Sequence, residues 1–452
     1  MPKVALINPG KEEYAITEPL SLGFIASYLE KNGIEVAIID QMAGQNVQKE
    51  IEKFSPNIVG ITATTPCAVD AYEVADMCRK MGVLTVMGGV HVSILPEEGL
   101  KHADIVVKGE GEIAMLDIIK ENIKSGIVSR PYIANIDDLP FPARHLMQMD
   151  FYATAKERMP DSYLFSFVPP RVKTASILTS RGCPFACTFC HNSWRGTPWR
   201  FNSAERVVSE IESLIKNYNI GALFFIEDNF FASPQRVKKI CNLLKEKKIN
   251  IIWAANARVD NINREILLEV KSAGCREVMF GFESGSQRIL DILNKKTKVE
   301  QNREAIDLCN QAGLIPAGAV MIGNPTETLE DIRATQRFLK ETNIKNAGVS
   351  ITTPFPGTEL WNWCKARNLI PSSLNWADFT FSKVVIPVCE NFSPQEIQKF
   401  FTETLDIACG NNFNLNNFLK ENLKHPKRAA VRVGHILKNP SRALKYLKKI
   451  KF

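Results

Sequence analysis

Cys183, Cys187 and Cys190 stand in the segment Arg181-Gly-Cys-Pro-Phe-Ala-Cys-Thr-Phe-Cys-His-Asn192, separated by three residues and then by two. Thiolates are soft donors that suit zinc and iron–sulfur clusters. A four-iron cubane ordinarily takes four of them, so a set of three leaves one iron with an open coordination position. Zinc would need a fourth ligand instead, and His191 adjoins the last thiol, so spacing alone leaves both readings open. Residues 174–180 just before the thiols read as a strand, and Gly182 and Pro184 favour a loop over a helix. The thiols therefore belong to a loop at a strand's carboxyl end.

Further candidates end other apolar strands. Beyond residue 173 the pattern predicts strands at 175–179, 222–227, 251–256, 277–283, 318–323 and 347–352, with amphipathic helices such as 203–217 and 234–246 between them. Six repeats do not complete an eight-stranded barrel, so a partial barrel open on one side is expected, with its site at the strands' carboxyl ends. Glu227, Asp228, Asn229, Arg258, Glu283, Ser284 and the run from Gly323 to Glu327 fall on that rim. Charge at the end of a buried strand is costly unless paired or ligand-bound, although each residue singly also fits an ordinary polar loop.

The first 125 or so residues alternate likewise: strands at 4–8, 35–40, 58–62, 84–88 and 105–108, helices at 20–31 and 69–81. Continuous apolar strands alternating with helices imply a parallel sheet covered on both faces, that is, a doubly wound Rossmann-like domain with ligands at the strands' carboxyl ends. Those ends carry Thr62 and Thr64, then Gly88, Gly89 and His91, then Gly109, Glu110 and Gly111. The glycines permit close backbone approach to a bulky ligand, or they are simply tight turns.

With these motifs in view, Cys-x3-Cys-x2-Cys with an aromatic before the last Cys resembles the cluster loop of the radical S-adenosylmethionine enzymes. The resemblance implies a 4Fe-4S cluster on Cys183, Cys187 and Cys190 whose open iron is chelated by S-adenosylmethionine. It implies that Glu227 and Asp228 approach the methionine amino group and that Arg258 reaches its carboxylate. Glu283 and Ser284 would contact the methionine moiety or ribose, residues 318–323 would lie near adenine, and Phe189 would shield the cluster or touch adenine. The order of motifs from Asn8-Pro9 through the Gly-Gly-x-His and Gly-Glu-Gly-Glu turns resembles the cobalamin-binding domain found in one branch of that family. No Asp-x-His-x-x-Gly motif is present, so the resemblance implies no protein histidine under cobalt. His91 is the minority candidate for that role, its loop otherwise lining the nucleotide-tail pocket.

The implied arrangement is a cobalamin-binding domain (residues 1–130), a connector broken by prolines (131–172), a partial (β/α)6 radical barrel (173–385) and a helical C-terminal region (386–452). The implied activity is methylation of an unactivated carbon by way of a 5′-deoxyadenosyl radical. Ring closure or rearrangement on the same architecture, methylthio transfer, and a non-catalytic cobalamin or iron–sulfur sensor are the alternatives. An external one-electron donor such as flavodoxin or ferredoxin is required, together with a small-molecule or lipid substrate.

Composition bounds the rest. The 452 residues, 45% hydrophobic, suffice for two or three domains with full cores. Eleven cysteines with neither a secretory leader nor an 18-residue apolar run predict a reducing cytoplasm. Most of the eight thiols outside the cluster loop read as small buried apolar residues, a second cluster from Cys364, Cys389 and Cys409 being the lesser alternative. The net charge of +7 resides in the tail, since residues 424–452 hold ten Lys or Arg and no acid. The tail reads as a solvated terminal helix or as a basic amphipathic helix lying on an anionic membrane. Interleaved aromatics are lacking, so nucleic acid is not the expected partner.

Overall fold

The computed structural model describes residues 2–12, 16–158, 166–169, 171–190 and 199–410. The basic tail, His191 and its neighbours lie outside them.

The first domain runs β1 (Lys3–Asn8), α1 (Leu20–Lys31), β2 (Glu35–Asp40), α2 (Val47–Phe54), β3 (Ile58–Thr62), α3 (Ala68–Lys80), β4 (Leu84–Gly88), α4 (Val90–Ile94), α5 (Pro96–Gly99), β5 (Ile105–Lys108), α6 (Gly111–Lys120) and β6 (Gly126–Ser129). Its six strands are parallel in the order β2-β1-β3-β4-β5-β6. Alternate residues of one strand feed opposite cores, as the two-residue period of a strand requires. Val4 and Leu6 pack with Phe24 and Met115 under α1 and α6, while Ala5 and Ile7 pack with Val47 and Tyr72 under α2 and α3. The strand order reverses between β1 and β3, where such sheets open a crevice for ligands. The sixth strand was not anticipated. Only Val128 of its four residues is buried, so an edge strand of this kind shows no apolar run.

The connector carries α7 (Met149–Ala153) and α8 (Ala155–Arg158). Tyr152 of α7 donates a 2.7 Å hydrogen bond to the buried Asp40 at the end of β2, tying the connector to the first sheet.

The second domain begins with β7 (Thr174–Ile177), the short β8 (Ser180–Arg181) and β9 (Arg200–Phe201). There follow α9 (Ala204–Tyr218), β10 (Ala222–Phe225), α10 (Pro234–Glu246), β11 (Ile252–Ala257), α11 (Arg264–Ser272), β12 (Cys275–Glu283), α12 (Gln287–Ile292), α13 (Val299–Gln311), β13 (Ile315–Ile322), α14 (Leu329–Thr342) and β14 (Asn346–Ile351). Six parallel strands in the order β7-β10-β11-β12-β13-β14 form a half-barrel whose end strands do not meet. The helices cover the outside, with Val207, Ile240, Leu267 and Phe338 among the core residues there.

Two later helices complete the chain's described part, α15 (Glu359–Ala366) and α16 (Pro394–Gly410). Ile397, Phe401 and Ala408 of α16 are buried, and the helix packs on β14 and α14 outside the barrel, as its apolar spacing predicts. Between the two helices an aromatic-rich stretch reaches back to the first domain. Trp376 donates from Nε1 to Glu98 over 2.7 Å and sets its ring edge-on to His91 at 4.9 Å.

Candidate functional site

The carboxyl ends of the two sheets face each other across a cavity of about 530 Å³. Thr62, Thr64, Gly88, Gly89, Gly109 and Gly111 line one wall, all expected from sequence. Gly89 has a φ of +95°, and a Cβ there would lie 2.7 Å from the carbonyl oxygen of Ala63, so this turn requires glycine. The opposite wall brings Ser180, Arg181 and Gly182 from the base of the cluster loop, with Glu227 and Asp228.

The cluster loop is anchored on several sides. Thr188 donates its N–H to Leu293 and accepts from that of Leu360, and Asn294 Nδ2 donates to the Ala186 carbonyl over 2.7 Å. Phe189 packs against Met321 and Leu293, between the fifth barrel strand and the post-barrel aromatics. Cys183 and Cys187 are half-buried and Cys190 opens to the surface. Although part of Cys190 reaches solvent, its sulfur is surrounded by protein, and this desolvation with Asp228 and the neighbouring thiols pushes the thiol up to about 12; burial also raises Cys183. Thiols gathered in this way are poor anions alone and good ligands once metal charge is supplied. Among the described residues no three Cys, His, Asp or Glu side chains converge on one point as a single metal ion needs. A cubane is less demanding, since each thiolate binds its own iron. The donor set fits that group.

The rim residues divide into two kinds. Asp228 is reached by solvent from the cleft yet has its carboxyl surrounded by protein, which raises it by desolvation, and it makes no hydrogen bond or ion pair with the described residues. It is the acid left available to a ligand. The others are engaged in the fold. Glu227 is buried, accepts from Thr179 Oγ1 at 2.5 Å and lies 3.7 Å from Arg236, and burial raises it despite those partners. Arg258 pairs with Asp260 at 3.0 Å, donates to the Lys295 carbonyl at 2.7 Å, and holds Nη1 3.8 Å from the Cys187 sulfur. Glu283, at a φ of +60°, pairs with Lys295 at 2.7 Å, and Ser284 exchanges a 3.0 Å hydrogen bond with Thr335. These four shape the rim through protein contacts in this structure.

His91 lies off the cavity wall. Its Nδ1 is 3.1 Å from Thr65 Oγ1 and its Nε2 3.0 Å from the Tyr72 hydroxyl, and 1% of the residue is exposed. Both ring nitrogens are occupied inside the domain, because α4 turns the side chain toward α3. The reading of His91 as a ligand beneath cobalt is not what the fold presents.

Glu110 is likewise directed to protein partners, and these were not foreseen. Its Oε1 lies 2.9 Å from Arg181 and 2.8 Å from Arg200, its Oε2 accepts from the Ile133 N–H at 3.0 Å, and Glu112 takes the other end of Arg181 at 2.5 Å. Burial pushes the Glu110 carboxyl up, but its hydrogen bonds with Arg200 and the charge of Arg181 outweigh this and hold it below the ordinary range. Opposite charges near the two motifs were visible in sequence, yet nothing there pairs residues so far apart. Of the other thiols, Cys67, Cys78, Cys241, Cys275, Cys309, Cys364 and Cys389 are buried, Cys364 and Cys389 in separate apolar clusters, while Cys409 is half-buried.

Comparison with known proteins accords with this geometry. Residues 177–339 match the model of the radical SAM superfamily and residues 12–119 that of the B12 binding domain. An uncharacterized methyltransferase of Pyrococcus horikoshii is 35% identical, the alignment covering 84% of this chain and 85% of the relative. The anaerobic magnesium-protoporphyrin IX monomethyl ester cyclase of Rubrivivax gelatinosus is 28% identical over 79% of this chain and 69% of its own. Among solved structures, the radical S-adenosylmethionine methyltransferase TsrM from Kitasatospora setae, with cobalamin and a 4Fe-4S cluster bound, superposes with a TM-score of 0.64 at 20% identity, over 79% of this chain and 74% of its own. At that identity the likeness is one of fold.

Proposed function

The chain belongs to the radical S-adenosylmethionine superfamily, in the branch whose barrel follows a B12 binding domain, and we propose on that premise that it methylates an unactivated carbon of a small molecule. The observation that carries the reading is the shared cavity, with glycine turns on one wall and the base of the three-thiol loop on the other. When bound there, the cluster with S-adenosylmethionine supplies a 5′-deoxyadenosyl radical and cobalamin supplies a methyl group. Cys183, Cys187 and Cys190 would hold three irons. Asp228 would take the cationic end of S-adenosylmethionine, with Glu227, Arg258, Glu283, Ser284 and Phe189 forming the pocket around it. Thr62, Thr64, Gly88, Gly89, Gly109 and Gly111 would bear on the corrinoid, and the apolar walls at Leu6, Phe24 and Met115 exclude water from it. The domain division at residues 130, 172 and 385 is part of the same proposal.

Enzymes of this superfamily draw an electron from an external donor, and we assign flavodoxin or ferredoxin to that role. No helix among the described residues is long and apolar enough to cross a membrane. A cytoplasmic setting, a lipid substrate and membrane contact through residues 424–452 remain parts of the proposal. Equal sedimentation of full-length protein and residues 1–421 with anionic vesicles would remove the membrane contact. The cyclase relative gives ring closure as the second reading.

Reconstituted full-length protein, given hydroxocobalamin, dithionite and methyl-labelled S-adenosylmethionine without oxygen, is expected to release 5′-deoxyadenosine and to carry label on the corrinoid. Absence of both products would overturn the assignment. 5′-Deoxyadenosine without labelled corrinoid would favour ring closure.

A further inference from the structure

We propose that Glu110 is a positioning residue coupling the two cofactor sites, an inference that rests on the functional reading above. Strands β8 and β9 form a two-residue antiparallel ribbon in which Arg181 lies directly opposite Arg200. The three thiols, at positions 183, 187 and 190, lie in the described loop that leaves β8 and precedes β9 in the chain. The ribbon is therefore the stem of that loop. Two guanidinium groups facing each other across a ribbon repel, and both are largely buried, so the stem needs an anion between them. Glu110 supplies it from the other domain, with one carboxylate oxygen within 2.9 Å of Arg181 and 2.8 Å of Arg200.

Glu110 stands between Gly109, whose φ is +100°, and Gly111, both on the cavity wall assigned to the corrinoid. The same three-residue turn thus touches one cofactor site with its backbone and closes the stem of the other with its side chain. A ligand that orders the turn also favours the closed stem. By thermodynamic reciprocity, a closed stem favours the ligand equally. Glu112 holds Arg181 alone and does not reach across the ribbon, so Glu110 is the member of the cluster that joins the two strands.

The test measures binding rather than turnover. Full-length wild type and Glu110→Gln, each with and without a reconstituted cluster, are titrated anaerobically with hydroxocobalamin and followed by absorbance. In wild type, cluster loading is expected to tighten hydroxocobalamin binding by about 5- to 150-fold, the usual span of such couplings. In Glu110→Gln that factor falls to about one while each site alone still fills. Equal factors in the two proteins overturn the proposal. Should Glu110→Gln fail to fold by circular dichroism, Arg200→Lys carries the same comparison, since an ammonium keeps the charge and loses the two-point grip on the carboxylate. Hydrogen exchange gives a second measure. Hydroxocobalamin added to cluster-free wild type is expected to slow exchange in residues 181–190 as well as 107–113, and in the variant only in 107–113; equal slowing of 181–190 in both overturns the coupling. Failure of wild type to take up hydroxocobalamin at all would remove the corrinoid reading itself, and the coupling with it.

Discussion

The guanidinium of Arg258 lies 3.7 Å from the centre of the Phe185 ring, so a residue just past the third barrel strand stacks on the loop that carries the three thiols. Asp260 holds that guanidinium in plane at 3.0 Å. A lysine at this position keeps the charge but loses the flat contact and the fork. Arg258→Lys is expected to leave folding unchanged and to speed iron release to a chelator about 2- to 30-fold, from the roughly 0.5–2 kcal/mol such a contact contributes. Release at the wild-type rate would show that the stacking does not hold the loop.

Replacing Cys183, Cys187 or Cys190 singly by Ala is expected to abolish the brown colour and most of the bound iron of reconstituted protein. Cys364→Ala and Cys389→Ala are expected to retain both, because those thiols lie buried in separate apolar clusters. Iron lost on changing Cys364 or Cys389 would reinstate a second cluster.

His91 offers a sharper discrimination. Changing it to Ala strands the Thr65 hydroxyl, takes from the Tyr72 hydroxyl one of its two partners, the other being Glu98, and leaves a hole, a combination expected to lower stability by about 2–5 kcal/mol. The paramagnetic spectrum of protein-bound cob(II)alamin is expected to lack coupling to a histidine nitrogen in wild type and to be the same in the variant. A nitrogen splitting in wild type that vanishes on His91→Ala would make His91 a cobalt ligand.

Glu277, at the amino end of β12, accepts from Ser166 and from Asn346, yet burial pushes it up to about 7. Its folded value stands above the ordinary 4.5, so between these two values the unfolded chain has released a proton that the folded chain keeps. Stability contributed by this group is thus full below about pH 4.5 and is lost as pH rises toward 7, by about 3 kcal/mol in all. Glu277→Gln is expected to match wild type in urea denaturation at pH 4.5 and to exceed it at pH 8. Equal midpoints at pH 8 would mean that the carboxylate is better solvated than its burial implies.

Much of this fold was legible because its signals are local and periodic. The helices Leu20–Lys31 and Pro234–Glu246 have the bounds their sequence pattern gives, the second because Ser233 caps it and Pro234 opens it. The glycine turns and the thiol loop were likewise readable, since unusual backbone and soft ligands demand particular residue types. The edge strand Gly126–Ser129 was not, because a strand with one buried side chain has no period to detect. The partners of Glu110, Glu227 and Arg258 were also hidden. Arg200 lies 90 positions from Glu110, and an ion pair at that distance leaves no trace in composition or spacing. For the same reason the sequence kept His91 as a minority candidate for a cobalt ligand, where α4 directs its ring to Thr65 and Tyr72.

The hydrogen bond from Trp376 to Glu98 joins residues 278 positions apart. A ribosome has therefore made most of the chain before it makes the residue that seals the first domain from outside. Until then Glu98 and the ring of His91 lack their aromatic cover, and the domain that was synthesised first waits on a residue synthesised near the end. The outer cover of the first domain is thus laid down late, whereas the cleft itself is lined by residues from Leu6 to Asp228.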